Sequence, residues 1–517
     1  MFHWLKKNKK EKNERKSINL FNEKVTPLSK SMNNNLKLIN KLIGHSPDVV
    51  IRSFKAGSSK LGVSIVYIDG LADEITINQQ IMKPVMLEIK KIEADINKLH
   101  ISEKMKETII TIAGAKTVKT MEDCVLPILS GSAVFFIDGS SEALVLSTPG
   151  WEKRSVQEPP SEPTVRGPRD GFVETLRDNI VHLRRRIRDP NFTIIEYKMG
   201  RRSKADLALI YIKGLTNEEL VNEIKRRVER IDMDMVLGSG YVEQLIEDNF
   251  LSPFPQMIIT ERPDKAVGAL MDGFVVLILD NTPFALIAPA TLPMFIQATE
   301  DYYERWAYSS LVRVLRYFIA FIALFVPSLY IALVSFHQGL IPTRLMISIA
   351  ATREGVPFPS LIEAFIMEGT LEILREAGVR LPKPIGQAVG IVGGLVIGEA
   401  AVQANIVSPI MVVVVALTAV SSFALPQYSM GIAIRMLRFS MMILAGTLGL
   451  YGIMLGYIMI NVHLVKLKSF GVNYTSPFVP YRLKDWKDLV IRAPMMAMKQ
   501  RPQMMKTQDK YRQDSQE

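Results

Sequence analysis

Glu368, Glu372 and Glu376 are spaced four residues apart, which puts their carboxylates on one face of a single helix. Glu354 and Glu363 precede them, and Arg353, Arg375 and Arg380 lie among them. Leu361, Ile362, Phe365, Ile366 and Leu371 give the same stretch an apolar face. Two chemistries fit. An amphipathic helix of this kind can lie flat on a membrane surface. A re-entrant or pore-facing helix would instead gather carboxylates from several subunits into a ring, and acidic rings select cations. Glu376 is the weaker pore candidate, because Arg375 and Arg380 can neutralise it.

Gly386, Gly390, Gly394 and Gly398 then recur every four residues. Glycine at that spacing clears one helix face, so that another helix approaches closely, within one subunit or between subunits. Glu399 follows at once. A carboxylate in or near hydrocarbon marks a functional position by default, unless it snorkels or pairs with an arginine such as Arg435. The candidate cation path is therefore Glu363, Glu368, Glu372 and Glu399. The candidate packing face is Gly386, Gly390, Gly394 and Gly398, a theme repeated by Gly446, Gly449, Gly452 and Gly456. Upstream, Glu300, Asp301, Tyr302, Tyr303, Glu304 and Arg305 precede a long apolar run. They serve as interfacial anchors, as a coupling elbow, or as both.

Other chemistries find no residues to carry them. The sequence has no G-x-x-x-x-G-K-[ST], no G-x-S-x-G and no H-E-x-x-H, so neither an enzyme nor a cofactor is expected. One cysteine, Cys124, and six scattered histidines exclude a disulfide framework and a cysteine-based zinc site. Net charge is +11, from 63 Lys/Arg against 52 Asp/Glu. The cluster Arg184-Arg185-Arg186 with Arg188 lacks the aromatic or base-reading neighbours that nucleic acid requires. It reads as a surface helix facing anionic lipid or a partner subunit. Lys6, Lys7, Lys9 and Lys10 read as a flexible, lipid-attracted arm.

The elements that must position these residues fall into two unlike halves. The chain has 517 residues and a mean hydropathy of +0.15, between soluble and all-membrane values. Tyr317 to Phe336, Ala400 to Ile434 and Phe439 to Val462 carry no charge. Since a bilayer core takes about twenty apolar residues per helix, spans are expected near 315–336, 385–404, 406–425 and 439–462, the middle two turning around Asn405 and Pro409. No signal peptide opens the sequence, and Arg313 and Arg316 flank the first span, so the first 310 residues are expected in the cytoplasm. The tail from Lys466 is basic and is expected there too, which requires an even number of crossings. Arg435 and Arg438 fit this scheme badly, because it places them on the outer side.

The first half is a duplication. Ser64 to Leu71 echoes Ala208 to Leu215, Pro47 to Ile51 echoes Pro190 to Ile194, and Gly131 with Asp138 echoes Gly273 with Asp280. Each copy reads as strand, helix, helix, strand, strand, with hairpin turns at Asp138-Gly139-Ser140 and Asp280-Asn281-Thr282-Pro283. The fold expected is α+β: two duplicated mixed α/β soluble subdomains followed by an all-α multi-span transmembrane domain. Residues 1–40 form a flexible arm, 41–150 and 171–295 the two copies, and 151–170 a Pro-rich linker. An elbow follows at 296–314, then a membrane domain at 315–465 with an amphipathic or re-entrant segment at 340–380, and a basic cytoplasmic tail at 466–517.

Several motifs resemble those of one family. They are Pro255 to Asp264, Glu300 to Arg305, Met367 to Pro382, Ile391 to Gly398, Ser408-Pro409, Arg435 with Arg438-Phe439, and Ser469-Phe470-Gly471. Together they resemble the A subunits of bacterial spore germinant receptors, from about residue 45 to about 480. The resemblance implies a multi-pass subunit of the spore inner membrane. It implies a homo-oligomer, accompanied by a B-type transporter-like membrane subunit and a C-type lipoprotein. It further implies a nutrient-gated cation channel whose opening starts germination, and paralogues of the family act without dedicated nutrient sensing. The alternatives are a non-conducting scaffold that passes a signal between partners, or a secondary transporter component. Transporters usually carry their repeat inside the membrane part, whereas here it lies in the soluble part.

Overall fold

The computed structural model describes residues 26–57, 61–88, 105, 114–150, 158–381, 394 and 396–513. The chain divides into two compact units. One is Met1–Glu247, Ile259–Pro289 and Lys499–Glu517, and the other is Asp248–Ile258 and Ala290–Met498.

The first unit holds the duplication. One sheet contains β1 (Val49–Ala56), β2 (Leu61–Ile68), β3 (Ala115–Val118), β4 (Ala133–Ile137) and β5 (Ala143–Leu146), in the order β1-β2-β4-β5-β3. The second contains β6 (Phe192–Met199), β7 (Ala205–Ile212), β8 (Ile258–Thr260), β9 (Val275–Leu279) and β10 (Ala285–Ala288), in the matching order β6-β7-β9-β10-β8. Strand starts in the two sheets differ by 142 to 144 residues, the offsets of the sequence repeat. The β1–β2, β2–β4, β4–β5 and β3–β5 pairs are antiparallel. Both faces of the first sheet are covered. Val63, Ile65 and Phe135 pack with Ile77 and Ile81 on one side. Val66, Ile68 and Phe136 pack with Ile39, Cys124 and Ile128 on the other. That double burial explains why the strands read as continuous apolar runs rather than as alternation.

Each copy also opens with a helix, α1 (Met32–Leu42) and α2 (Leu176–Arg186). The hairpin aspartates hold both. Asp138 Oδ1 accepts from Met32 N at 3.1 Å, and Asp280 Oδ1 from Leu176 N at 2.9 Å. Asn35 clamps the approach to α1 through both backbone groups of Ser29, at 2.9 and 2.7 Å. Asn179 does the same for α2 with Val173, at 2.8 and 2.6 Å. Of the flexible arm expected over 1–40, residues 32–40 belong to α1 and residues 1–25 lie outside the described residues. In the first copy β1 and β3, and in the second β6 and β8, add two strands to the three expected of each. The turns fall where expected, with Gly139 and Asn281 both at positive φ (87° and 64°).

Arg184 is not the surface residue expected. It is 2% exposed, pairs with Asp48 through Nε and Nη2 at 2.8 Å each, and lies 4.5 Å from the Phe192 ring centroid. It therefore ties α2 of the second copy to the first.

The second unit is helical: α3 (Trp306–Ser335), Thr343–Arg353, α4 (Ser360–Arg380), α5 (Pro409–Phe423) and α6 (Tyr428–Lys466). Two of these, α3 and α6, are long and apolar enough to cross a bilayer. The expected span near 385–404 lies mostly outside the described residues; 396–403 are helical. Asn405 (φ 54°) turns the chain, and Ser408 caps α5 by accepting from Met411 N, with Pro409 in its first turn.

The run α6 is not straight. Gly449 has φ 60° and ψ −140°, outside the helical region. A Cβ at Gly456 would lie 2.3 Å from Met441 Sδ, and one at Gly452 would lie 2.0 Å from Leu444 O. Residues fifteen apart in a straight helix are ~22 Å apart, so the chain doubles back at Gly449. The single span expected at 439–462 is a helical hairpin with its tip at that glycine. Only a residue without Cβ fits there, because His337 Cε1 and Phe336 Cβ approach to 2.8 and 3.0 Å of that position.

Candidate functional site

The helical unit is organised around three arginines that meet carboxylates. At the first, proline sets the stage. Pro327 lies inside α3 and has no N–H to give to the carbonyl four residues earlier. That carbonyl, Ala323 O, accepts instead from Arg438 Nε at 2.7 Å. Arg438 Nη1 donates to Glu368 Oε2 at 2.7 Å, and Nη2 donates to Ser422 Oγ. One guanidinium thereby joins α3, α4, α5 and α6. Arg438 and Glu368 are 2% and 4% exposed. A charge removed from water this far is tolerable only when paired and hydrogen-bonded.

The second centre is Glu363, fully buried. Its Oε1 accepts from Arg353 Nη2 at 2.8 Å and its Oε2 from Ser408 N at 2.9 Å. Tyr330 OH lies 3.4 Å from Ser408 Oγ. The carboxylate therefore fixes the start of α5 against α4.

The third lies in the elbow. Arg313, fully buried, donates from Nε to Asp301 Oδ2 at 2.8 Å and from Nη1 to Asp488 O. Arg316 Nη1 reaches both Asp301 oxygens at 2.9 Å. Tyr302 OH donates to Asp488 Oδ1 at 2.8 Å, and the Arg313 and Arg492 guanidinium carbons sit 5.5 and 5.1 Å from its ring centroid. Asp488 belongs to the short helix Trp486–Leu489, so the C-terminal tail clamps the elbow. Glu300, Asp301 and Tyr302 form a 3-10 turn whose Glu300 carbonyl accepts from Tyr303 N and Glu304 N, and Arg305 precedes the first turn of α3.

The remaining candidates are scattered. Glu372 is half-exposed and meets Arg375 Nη1 at 3.0 Å and Arg435 Nε at 3.6 Å. Glu376 is exposed and meets Arg380. Glu399 accepts from Gln403 Nε2 at 3.2 Å and has no ion pair among the described residues. Gly386 and Gly390 lie outside the described residues. A Cβ at Gly394 would meet nothing described within 4 Å, and one at Gly398 would meet Val412 Cγ1 at 3.5 Å. Close approaches lie instead at Gly446, where Leu361 Cδ2 of α4 would stand 2.6 Å away, and at Gly452 and Gly456 within the hairpin.

Within one subunit, then, each carboxylate from Glu363 to Glu376 is met by an arginine. Sequence reading named Arg353, Arg438 and Arg313, and Glu363, Glu368 and Asp301 as well, but not which of them pair. Asp488 was missed altogether, because no local spacing links a tail residue to an elbow far upstream.

Known proteins resemble this one over nearly the whole chain. The family model described as Bacillus/Clostridium GerA spore germination protein matches residues 37–504. Spore germination protein KA of Bacillus subtilis (strain 168) is 44% identical over 95% of this chain and 90% of its own length. Uncharacterized membrane protein YfkQ of the same organism is 43% identical over 92% of this chain and 91% of its own. The crystallised N-terminal domain of the A subunit of the Bacillus megaterium spore germinant receptor GerK3 is 34% identical. It covers 52% of this chain and 98% of that domain at a TM-score of 0.42. The chain belongs to the GerA family of spore germination proteins, the A subunits of spore germinant receptors, and its role lies in germination.

Proposed function

We propose that this chain is the membrane subunit of a nutrient-responsive germination receptor. Copies of it assemble into a ring that gates a cation path, and opening of that path releases ions at the start of germination. The observation that carries this reading is the outward face of α4, which one subunit leaves open. Glu372 there is half-exposed beside Ile373 and Val379, 71% and 73% exposed, in a unit of membrane-length helices. Glu372 and Glu399 become the leading path carboxylates, while Glu363 and Glu368 hold the bundle that presents them.

The hairpin supports a membrane topology with both termini in the cytoplasm. Its arms, 428–448 and 450–466, would rise ~31 and ~25 Å at 1.5 Å per residue, close to a ~30 Å hydrocarbon core. With α3, α4, α5 and the span expected from the sequence near 385–404, the passages are even in number. Arg435 and Arg438 then open an arm from the cytoplasmic side, where basic residues belong. In this reading the membrane is the spore inner membrane. The partners are further copies of the chain, the B-type transporter-like and C-type lipoprotein subunits, and anionic lipid around the basic segments.

A second reading is a non-conducting scaffold, favoured by the arginine that meets each carboxylate of α4. Potassium flux through proteoliposomes carrying the full chain, with and without its partner subunits, separates the two. Flux that falls in Glu372→Gln supports the channel. Absence of flux in every combination, with assembly intact, leaves the scaffold.

A further inference from the structure

The loop Asp248–Ile258 leaves the sheet unit and belongs with the helices. It is held there at several points. Ser252 Oγ lies 2.8 Å from His463 Nε2, and the Phe254 ring stacks on His463 with centroids 6.0 Å apart. Asp248 Oδ2 accepts from Phe470 N at 2.6 Å, Gln256 O from Ser469 Oγ at 2.7 Å, and Pro255 O from Tyr474 OH at 2.9 Å. Gln256, fully buried, sets the loop's inner shape. Its Oε1 accepts from Asp248 N and Asn249 N at 2.9 and 3.0 Å, and its Nε2 donates to Asn249 O at 2.7 Å. A loop so tightly tied presents Phe250 and Leu251 outward, 76% and 79% exposed.

Large apolar side chains on a rigid loop stay in water only at a cost in free energy, so their surroundings matter. His463 is in the last turn of α6, and Tyr457, Met459, Val462 and Val465 on that arm are themselves exposed. Lys466 and Lys468 follow directly, both exposed and without an ion pair among the described residues. An apolar tip beside the last turn of a spanning arm, next to unpaired lysines, matches the composition of segments that sit at the headgroup boundary. We propose that Phe250 and Leu251 insert into the acyl–headgroup boundary of the bilayer, with Lys466 and Lys468 on anionic headgroups. The loop then acts as a membrane foot that fixes the depth of the last arm. This rests on the reading of α6 as membrane-spanning.

Spin labels at Phe250→Cys and Leu251→Cys test it, on the full chain in vesicles of phosphatidylethanolamine and phosphatidylglycerol. Cys124 does not compete for label, being fully buried with its thiol pushed up to about 12 by burial. Labels at Met459→Cys and Arg202→Cys serve as the lipid and water references. The expected result is an oxygen-to-nickel-chelate collision ratio at 250 and 251 above that at 202 and approaching that at 459. The ratio should rise further as phosphatidylglycerol increases. A water-like ratio at 250 and 251 with a lipid-like one at 459 overturns the foot and leaves the spanning arm standing. Protection from both reagents means a second copy or a partner subunit covers the loop, and also overturns it. A water-like ratio at 459 removes the spanning arm and the foot together.

Discussion

Replacing Glu368 by glutamine removes one charge from a pair that is almost wholly out of water. Breaking a buried pair on one side costs about 3–5 kcal/mol, because the other charge stays behind. Arg438 would keep Ala323 O and Ser422 Oγ, and the glutamine oxygen can still accept from Nη1, so about 3 kcal/mol is expected. For a unit of this size that lowers the melting temperature by about 6–12 °C. Removing both partners, as in Glu368→Leu with Arg438→Met, relieves the unpaired charge but leaves Ala323 O without its donor, at about 1–3 kcal/mol, so little net recovery over Glu368→Gln is expected. Glu372→Gln, at a half-exposed site, should cost no more than about 1 kcal/mol. Circular dichroism melts in lipid nanodiscs read these differences, and potassium flux is measured on the same preparations. The two glutamates then separate, with Glu368→Gln losing flux in proportion to lost fold and Glu372→Gln losing flux without it. A Glu368→Gln protein that melts like wild type would refute the claim that this pair holds the four helices.

Gly449→Ala places a Cβ in a backbone region that costs about 1–3 kcal/mol for a non-glycine residue, against His337 and Phe336; loss of folded protein from the membrane is expected, and normal abundance would contradict the chain reversal. Asp488→Ala should free Tyr302 and loosen the elbow, seen as faster hydrogen exchange over 299–305 with the melting of the sheet unit unchanged. Asp301→Asn should be more severe, about 3 kcal/mol, because buried Arg313 and the partly buried Arg316 lose their anion at once. Burial pushes Glu243 up to about 7, from 4.5, with Glu247 adding to it. A raised folded-state value means its contribution is complete below pH 4.5 and is lost as pH rises through 7. Stability of the sheet unit should therefore decline across that window, and Glu243→Gln should flatten the decline; an unchanged pH profile in the variant would count against the burial of this carboxyl.

The duplication was legible because paired strands leave a long-lived mark. Alternate residues on both faces of each sheet are buried, so whole segments stay apolar and the hairpin turns keep their aspartates. The leading helix Met32–Leu42 was hidden by composition, its apolar positions being diluted by Asn33, Asn34, Asn35 and two lysines. Its strongest signal was there to be read in retrospect: Asn35 and Asn179 stand at the repeat offset and make the same clamp. The hairpin at Gly449 was hidden for the opposite reason. Every residue from Phe439 to Val462 is uncharged, and inside such a run a glycine that reverses the chain looks the same as one that lets helices touch.

Long-range ion pairs were the least legible feature, and they explain why Arg435 and Arg438 fitted the expected topology badly. A spacing argument sees charges along one helix, so it grouped Glu368, Glu372 and Glu376 as one stripe. Packing sorts them instead by depth in the bundle. Glu368 faces inward to an arginine on another helix, Glu372 lies at the margin between two arginines, and Glu376 faces out to Arg380. Pro327 completes the logic. A proline within an apolar helix reads as a kink, but its consequence is chemical: it frees Ala323 O, and a freed carbonyl in a low-dielectric interior must find a donor. Arg438 is that donor. The positive charge that looked misplaced in a one-dimensional topology is thus required by the proline and neutralised by Glu368.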